Sequence, residues 1–354
     1  MAAMKVALVG CGNIAALYAR SIVAEPGLEL VGGTDVLPGR AAELVARFDG
    51  TDYPSLDALL ADDAIDTVIN LTVPQAHAEV TARSLEAGKH VHTEKPLALR
   101  YEEARELAEL AARQGVRLSC APATLLGEAQ QTVWKLVREG TLGTVRAVYA
   151  EANWGRIETW HPSPQALYAA GPLVDVGIYP LAILTAIFGP ARRVLAYGTT
   201  LKPDRVTLDG ATFRVETPDF NVALLELHSG VVVRLTAVFW IHAGRQRGLE
   251  LHGDDASLHL ASWLEFDSQL DLSVGGAEYA PVPLVREPYQ GVHWSRALAD
   301  LAEAIEEGRP HRASAEHAAH VVEVLNAIAR SAAEGRAVNV ESEFQPPAPM
   351  EWAS

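Results

Sequence analysis

Gly10-Cys11-Gly12-Asn13-Ile14-Ala15 fits the pattern GxGxx[G/A]. Such glycines allow a tight turn and let the backbone approach a pyrophosphate seated on a helix N-terminus. Asp35 closes the next apolar run, and a carboxylate there can accept from both hydroxyls of an adenosine ribose. It would repel a 2′-phosphate, so the combination reads as a dinucleotide site that takes NAD over NADP. Arg40, just beyond, either offers such a phosphate a cation or simply begins a solvated helix. Two further segments follow apolar runs: Leu71-Thr72-Val73-Pro74-Gln75-Ala76-His77 and Glu94-Lys95-Pro96. Pro74 suits the first position of a helix, and His77 either packs locally or joins the cofactor site. Pro96 biases Lys95 toward an extended backbone and so aims a long cation outward. Asp175 and Tyr179 are spaced i, i+4, which puts both on one face of a helix, although Pro180 would kink that face. Trp154 and the cluster Trp160-His161-Pro162 are either a wall for a sugar ring or packed loop residues. His311, His317 and His320 lack partners at ligand spacing, so no metal is expected.

These side chains need elements to hold them. Lys5 to Val9 is a short apolar run, the pattern of a strand buried on both faces of a parallel sheet. A helical stripe through Ile14, Leu17, Tyr18 and Ile22 follows and stops at Pro26-Gly27. The alternation continues with strands at 65–71, 90–93 and 116–120 and helices between them, which predicts an open doubly wound α/β sheet. After Pro122 the rhythm changes to a helix near 130–139 and alternating strands at 145–152, 222–227 and 231–238. The last two are joined by His228-Ser229-Gly230 as a hairpin, and helices at 294–307 and 314–334 follow. This half reads as α+β with a large, mostly antiparallel sheet. The expected division is 1–121 and 122–354, with the site at the carboxyl edge of the first sheet, where the halves meet.

Composition narrows the partners. The chain has 354 residues, 49% hydrophobic and 21% charged, and a formal net charge of −16. Disorder is excluded, and a surface of that sign repels phosphate backbones and anionic lipid, so neither nucleic acid nor membrane is an expected partner. Two cysteines, Cys11 and Cys120, make no disulfide framework. With no secretory h-region near the start, the expected compartment is the cytoplasm.

Taken together, GxGxxA, Thr72 to His77, Glu94-Lys95-Pro96, Ala121-Pro122 and the Asp175 to Tyr179 segment, in this order, resemble the Gfo/Idh/MocA oxidoreductases. The resemblance implies a Rossmann domain followed by an α+β domain whose open sheet often mediates assembly, here a homodimer or homotetramer. It implies an NAD(P)-dependent oxidoreductase acting on a secondary alcohol or ketone of a sugar, sugar derivative or cyclitol. It places Gly10, Cys11, Gly12, Asn13, Ile14, Asp35, Arg40, Leu71, Thr72, Pro74, His77, Glu94 and Lys95 toward the cofactor. Lys95, Asp175 and Tyr179 carry the chemistry, and with Trp160 and His161 they meet the substrate. Tyr179 stands where the family commonly has histidine, and Ala170-Gly171-Pro172 replaces its three glycines.

Removing hydride from a secondary alcohol requires its hydroxyl proton to leave as well, so an acid or base must touch that oxygen. Tyrosine and lysine titrate near ~10 and ~10.4. A lysine beside Tyr179 would favour the phenolate, with Asp175 orienting the substrate or balancing Lys95. Two other readings of the same family pattern are a glycoside-cleaving enzyme that uses tightly held NAD and a non-catalytic dinucleotide or sugar sensor.

Overall fold

The structure, a computed structural model, describes residues 3–354; Met1 and Ala2, part of the stretch on which the compartment expectation rests, lie outside them. The first strand β1 (Met4–Val9) is followed by helix α1 (Ala15–Val23), β2 (Leu28–Thr34), α2 (Arg40–Val45) and β3 (Thr51–Asp52). Then come α3 (Leu56–Leu60), β4 (Thr67–Asn70), α4 (His77–Glu86), β5 (His90–Thr93), α5 (Tyr101–Gln114) and β6 (Leu118–Cys120). Six strands make one sheet in the order β3-β2-β1-β4-β5-β6, every pair parallel. The order reverses beside β1, which defines the crevice where such sheets take ligands. The apolar stripe on α1 buries Ala15, Tyr18, Ala19 and Ile22, and Gly115 ends α5 in the left-handed conformation at φ 68°.

The second sheet is built from longer strands. After α6 (Glu128–Arg138) and β7 (Val145–Asn153), helix α7 (Gln165–Pro172) runs into a π turn, Leu173–Gly177, and α8 (Ile178–Phe188). Strands β8 (Ala191–Thr199), β9 (Asp204–Val206), β10 (Thr212–Arg214), β11 (Phe220–Leu227) and β12 (Val232–Val238) follow. They lead to β13 (Gly248–Gly253), β14 (Ala256–Leu260), β15 (Leu270–Val274) and β16 (Ala280–Pro281). Helices α9 (Arg296–Glu307) and α10 (Ala315–Glu334) precede the short β17 (Val338–Asn339). Nine strands pair in the order β16-β15-β14-β13-β7-β12-β11-β8-β17. The β11–β12 hairpin forms as read from the sequence, and β7 with β12 is the parallel pair in this otherwise antiparallel sheet. Inward residues Val233, Leu235 and Ala237 of β12 are buried, as is most of α8. The stretch Gln165–Phe188 is apolar and long enough to cross a membrane by composition alone, yet 72% of its apolar window is buried in the fold, as for a core helix.

Two compact units result, and they differ from a single boundary at 121. One holds the chain up to Leu126 together with His293–Val322, the other Gly127–Val292 with Glu323–Ser354. The chain returns because α9 and the start of α10 bury their stripes in the first unit. Leu298 lies in the cluster of Leu8, Tyr18 and Ile69, and Ala315, Ala319 and Val322 pack with Val91, Leu107 and Leu118. Hydrogen bonds from Cys120 N to Ala313 O (3.1 Å) and between the hydroxyls of Ser21 and Ser295 (2.8 Å) fix that return. A helical stripe in a sequence does not say which sheet it covers. The Pro-rich terminal segment docks on the second unit, where Met350 N donates to Gln131 Oε1 (2.9 Å) and Trp352 lies under Arg286.

The second unit contains a fully buried ionic network. Arg205, whose side chain is 0% exposed, donates to Asp219 (2.6 Å), Glu158 (3.3 Å), the Tyr168 hydroxyl (3.0 Å) and Lys202 O (2.8 Å). Removing the arginine from such a set leaves two buried carboxylates without a compensating charge. Arg205→Met is therefore expected to cost about 3–5 kcal/mol, read by urea unfolding; a loss below about 1 kcal/mol would show that the network does not hold this unit.

Candidate active site

Gly10 ends β1 with φ +90°, and a Cβ there would lie 2.8 Å from the carbonyl carbon and oxygen of Leu71 and 2.9 Å from Thr72 N. Only glycine lets the exit of β1 lie this close to the exit of β4. Gly12 has open space around its α-carbon, and no side chain caps α1 at Ile14. Asn13 is exposed and Ile14 partly so. Asp35 holds the turn from the side: one carboxylate oxygen accepts from Cys11 N (2.7 Å), the other from Leu37 N (2.8 Å). Its side chain is 5% exposed, and Arg40 lies 4.0 Å from it. The Cys11 thiol, buried and beside Asp35, is pushed up to about 12 and stays protonated. An uncapped helix start, a glycine turn with open space and a fixed carboxylate fit a dinucleotide, and Gly10 to Ile14 with Asp35 are the residues that would hold it.

The segment after β4 is ordered by a residue that no motif indicated. Asn70 is buried; its Oδ1 accepts from Thr72 Oγ1 (2.6 Å) and Thr72 N (3.2 Å), while its Nδ2 donates to His77 O and Thr81 Oγ1 (both 3.1 Å). Pro74 begins a short 3-10 turn, as its fixed φ favours. His77 departs from the expected cofactor contact. It is 1% exposed, with Nδ1 2.7 Å from Pro96 O and Nε2 3.1 Å from Thr72 O. Both ring nitrogens are occupied by backbone carbonyls, so His77 ties the Thr72 turn to the Glu94-Lys95-Pro96 segment.

Glu94 is likewise buried, which sets it under the site as a support. Tyr18 Oη donates to Glu94 Oε1 (2.6 Å), and Lys95 N donates to Glu94 Oε2 (3.2 Å). Tyr18 Oη also lies 3.4 Å from His92 Nε2, and His92 Nδ1 lies 3.0 Å from Ser119 Oγ. Burial pushes the His92 imidazole down to about 3, so the ring is neutral. With the Tyr18 proton committed to Glu94, His92 Nε2 carries the ring proton and Nδ1 accepts from Ser119. Tyr18, His92 and Ser119 sit in buried elements whose hydrophobic pattern gave no reason to single them out. Lys95 itself is half-buried at the end of this framework.

Asp175 and Tyr179 belong to the second unit, both half-buried. Asp175 lies in the π turn, which widens the i, i+4 spacing expected of an α-helix. Pro180 lies in α8 directly after the π turn, with helical backbone on both sides, and the non-helical backbone falls earlier, at Gly171 with φ +78°. The Tyr179 ring lies 5.0 Å from that of Trp263, which in turn lies 6.1 Å from Trp154. Trp263 Nε1 donates to Glu151 O (3.1 Å). Trp160 is 54% exposed and packs edge-on against His161 at 5.4 Å, and His161 Nδ1 accepts from Ser163 N (3.0 Å). The aromatic row beside Tyr179 is thus Trp263 and Trp154; of the two, the sequence had singled out Trp154, with Trp160 and His161, and not Trp263. Among the described residues no group of three or more His, Cys, Asp or Glu is arranged to hold a metal; His311 Nε2 meets Leu118 O (3.0 Å), and burial pushes His317 down to about 3.

Residues 4–121 match the model of the oxidoreductase family GFO_IDH_MocA with its NAD-binding Rossmann fold, and residues 130–259 match a GFO/IDH/MocA C-terminal domain. The chain is 29% identical over 260 residues to a dTDP-3,4-didehydro-2,6-dideoxy-alpha-D-glucose 3-reductase of Streptomyces violaceoruber, covering 73% of this chain and 72% of that one. It is 28% identical over 260 residues to the D-glucoside 3-dehydrogenase of Escherichia coli, covering 69% and 72%. The crystal structure of an NAD binding oxidoreductase from Klebsiella pneumoniae shares the fold, with a TM-score of 0.84 and 22% identity over 97% of this chain and 100% of that one.

The neutral His92 carries a pH signature. Between pH 6.5 and about 3 the unfolded chain binds a proton at this residue that the folded chain does not, so stability falls as pH drops through that window. His92→Gln keeps a polar side chain but cannot titrate. It is expected to flatten the loss of unfolding free energy between about pH 6.5 and about pH 4.5; an unchanged slope would show that His92 does not carry it.

Proposed function

This chain belongs to the Gfo/Idh/MocA oxidoreductases, and from that premise we propose that it moves a hydride between NAD and a secondary alcohol or ketone on a sugar, sugar derivative or cyclitol. The observation that carries the reading is the glycine turn at Gly10, braced by Asp35 and lying against Leu71 and Thr72 at the carboxyl ends of parallel strands. The names of the two curated relatives place their reactions at position 3 of a hexose, and that carbon is the first to test here.

The preference for NAD over NADP is supported by Asp35, a carboxylate at the exit of β2 that would repel a 2′-phosphate, and by Arg40, 48% exposed, which has that carboxylate as its neighbour. When bound, the nicotinamide supplies the hydride acceptor or donor. Lys95 and Tyr179 are assigned to the substrate oxygen, Tyr179 exchanging its proton and Lys95 favouring the charged form of whichever oxygen is deprotonated. Asp175 orients the substrate. Glu94, Tyr18 and His77 hold the backbone that presents Lys95. Trp154, partly exposed and backed by the buried Trp263, suits the apolar face of a sugar ring.

The cytoplasm is the proposed compartment, supported by two cysteines that are both free and buried. A homodimer or homotetramer is the proposed assembly, supported by the exposed Tyr149, Leu195, Tyr197 and Leu224 on the open face of the nine-stranded sheet.

Absorbance at 340 nm with NAD and a panel of sugars, glycosides and inositols tests the reading: an NADH band with one compound names the substrate. Lys95→Ala is expected to lose that turnover by at least about 100-fold while still binding nucleotide. Full turnover by the variant would remove Lys95 from the chemistry, and no nucleotide binding by the native protein would overturn the proposal.

A further inference from the structure

Asn70, the last residue of β4, is 0% exposed, and its amide both donates and accepts twice. Two of its neighbours are backbone groups whose roles cannot change, Thr72 N as a donor and His77 O as an acceptor. Thr72 N lies 3.2 Å from Oδ1 and His77 O lies 3.1 Å from Nδ2, so both demand the same orientation of the amide. That orientation fixes a second group. The Thr72 hydroxyl lies 2.6 Å from the same Oδ1, which has no proton to give, and it must therefore donate. Its one proton is spent on Asn70. What remains on Thr72 Oγ1 is lone-pair capacity, on a residue that is partly exposed.

The order of the strands decides which part of a dinucleotide meets this oxygen. Along the carboxyl edge β2, β1, β4 and β5 are neighbours in that order, and they are followed by Asp35, the Gly10 turn, the Thr72 turn and Glu94-Lys95. Asp35 suits the adenosine ribose, and the glycine turn with its helix start suits the pyrophosphate. The next place along the edge, before Lys95, falls to the nicotinamide half. Thr72 stands there against the glycine turn, since a Cβ at Gly10 would lie 2.9 Å from Thr72 N. Asn70 also joins this turn to the Lys95 segment, its carbonyl accepting from Glu94 N (2.9 Å). The nicotinamide half carries donors, its ribose hydroxyls and carboxamide N–H groups, whereas an ionised pyrophosphate carries none.

We propose that Asn70 is a positioning residue that holds the Thr72 hydroxyl as an acceptor for a donor on the nicotinamide half of the dinucleotide, a ribose hydroxyl or a carboxamide N–H. The same arrangement refuses a displaced cofactor. A phosphate oxygen moved one strand along the edge would meet lone pairs instead of a proton, and it would lose its water there without gaining a partner. The proposal rests on the dinucleotide reading of the site, and its test separates the two.

Calorimetric titration of the full-length protein with NAD, with its 3-acetylpyridine analogue and with ADP reads this contact without turnover. Thr72→Val keeps the side-chain shape and removes the oxygen; it is expected to weaken NAD about ten-fold at an unchanged unfolding midpoint, with Thr72→Ser restoring the affinity. ADP, which ends at the pyrophosphate, is expected to bind native protein and Thr72→Val alike. The analogue has a methyl ketone in place of the carboxamide, so a loss it shares with NAD assigns the ribose hydroxyl as donor, and a loss for NAD alone assigns the carboxamide. Asn70→Leu removes the acceptor that orients the hydroxyl and is expected to weaken NAD by a comparable factor, with Thr72→Val in that background costing less than about three-fold more. Additive losses would show that Asn70 does not act through Thr72. Unchanged NAD affinity in Thr72→Val, or an equal loss for ADP, would overturn the contact while leaving the dinucleotide reading in place, and both are read even if Asn70→Leu does not fold. Native protein that binds no NAD would overturn the dinucleotide reading itself.

Discussion

A side chain cannot exist at residue 10. The backbone of the first strand leaves the sheet with a positive φ and lies within contact of the Leu71 carbonyl and the Thr72 amide, so the exits of two neighbouring strands share a space in which even a methyl group would overlap backbone atoms. This close approach brings three sequence-distant stretches to one edge: the turn that begins helix α1, the Asp35 carboxylate and the Thr72 segment. Because the strand order reverses at the same place, the open helix start faces a crevice rather than another connection.

Beneath that edge, polar groups rather than apolar packing set the position of Lys95. Glu94 binds the amide of its neighbour and the Tyr18 hydroxyl, and His77 bonds to the carbonyl just beyond. Each buried group has a partner, so the arrangement is stiff. Displacing Lys95 would leave a carboxylate or an imidazole unsatisfied in a low-dielectric interior. The second unit uses the same principle with full charges. Arg205, in β9, is compensated by Asp219 and Glu158, and so joins the residue before β11 and the turn after β7 to its own strand.

The sheet alternation, the glycine turn and the Lys95 segment were legible in the sequence because each leaves a local signature. A buried parallel strand is a continuous apolar run, a positive φ selects glycine, and a proline constrains the residue before it. The strand His90–Thr93 has the bounds that its composition suggested. The return of helix α9 to the first unit was not legible, since its stripe of Ala297, Leu298, Leu301 and Ala304 would cover either sheet equally well. His77 stayed open in the sequence for a related reason: a histidine at a strand exit has the same sequence appearance whether its ring meets a cofactor or two carbonyls.

The sequence by itself determined the two kinds of sheet, the turn that suits a dinucleotide and the set of groups able to exchange a proton, because these depend on periods and backbone preferences within a few residues. Only the tertiary structure decided which helices complete which unit, that Asn70, Tyr18 and His92 support the site, and that Trp263 rather than Trp160 stands beside Tyr179. Each of these depends on contacts between residues far apart in the chain, where burial and hydrogen-bond satisfaction are settled by the packed partner and leave no local pattern to read.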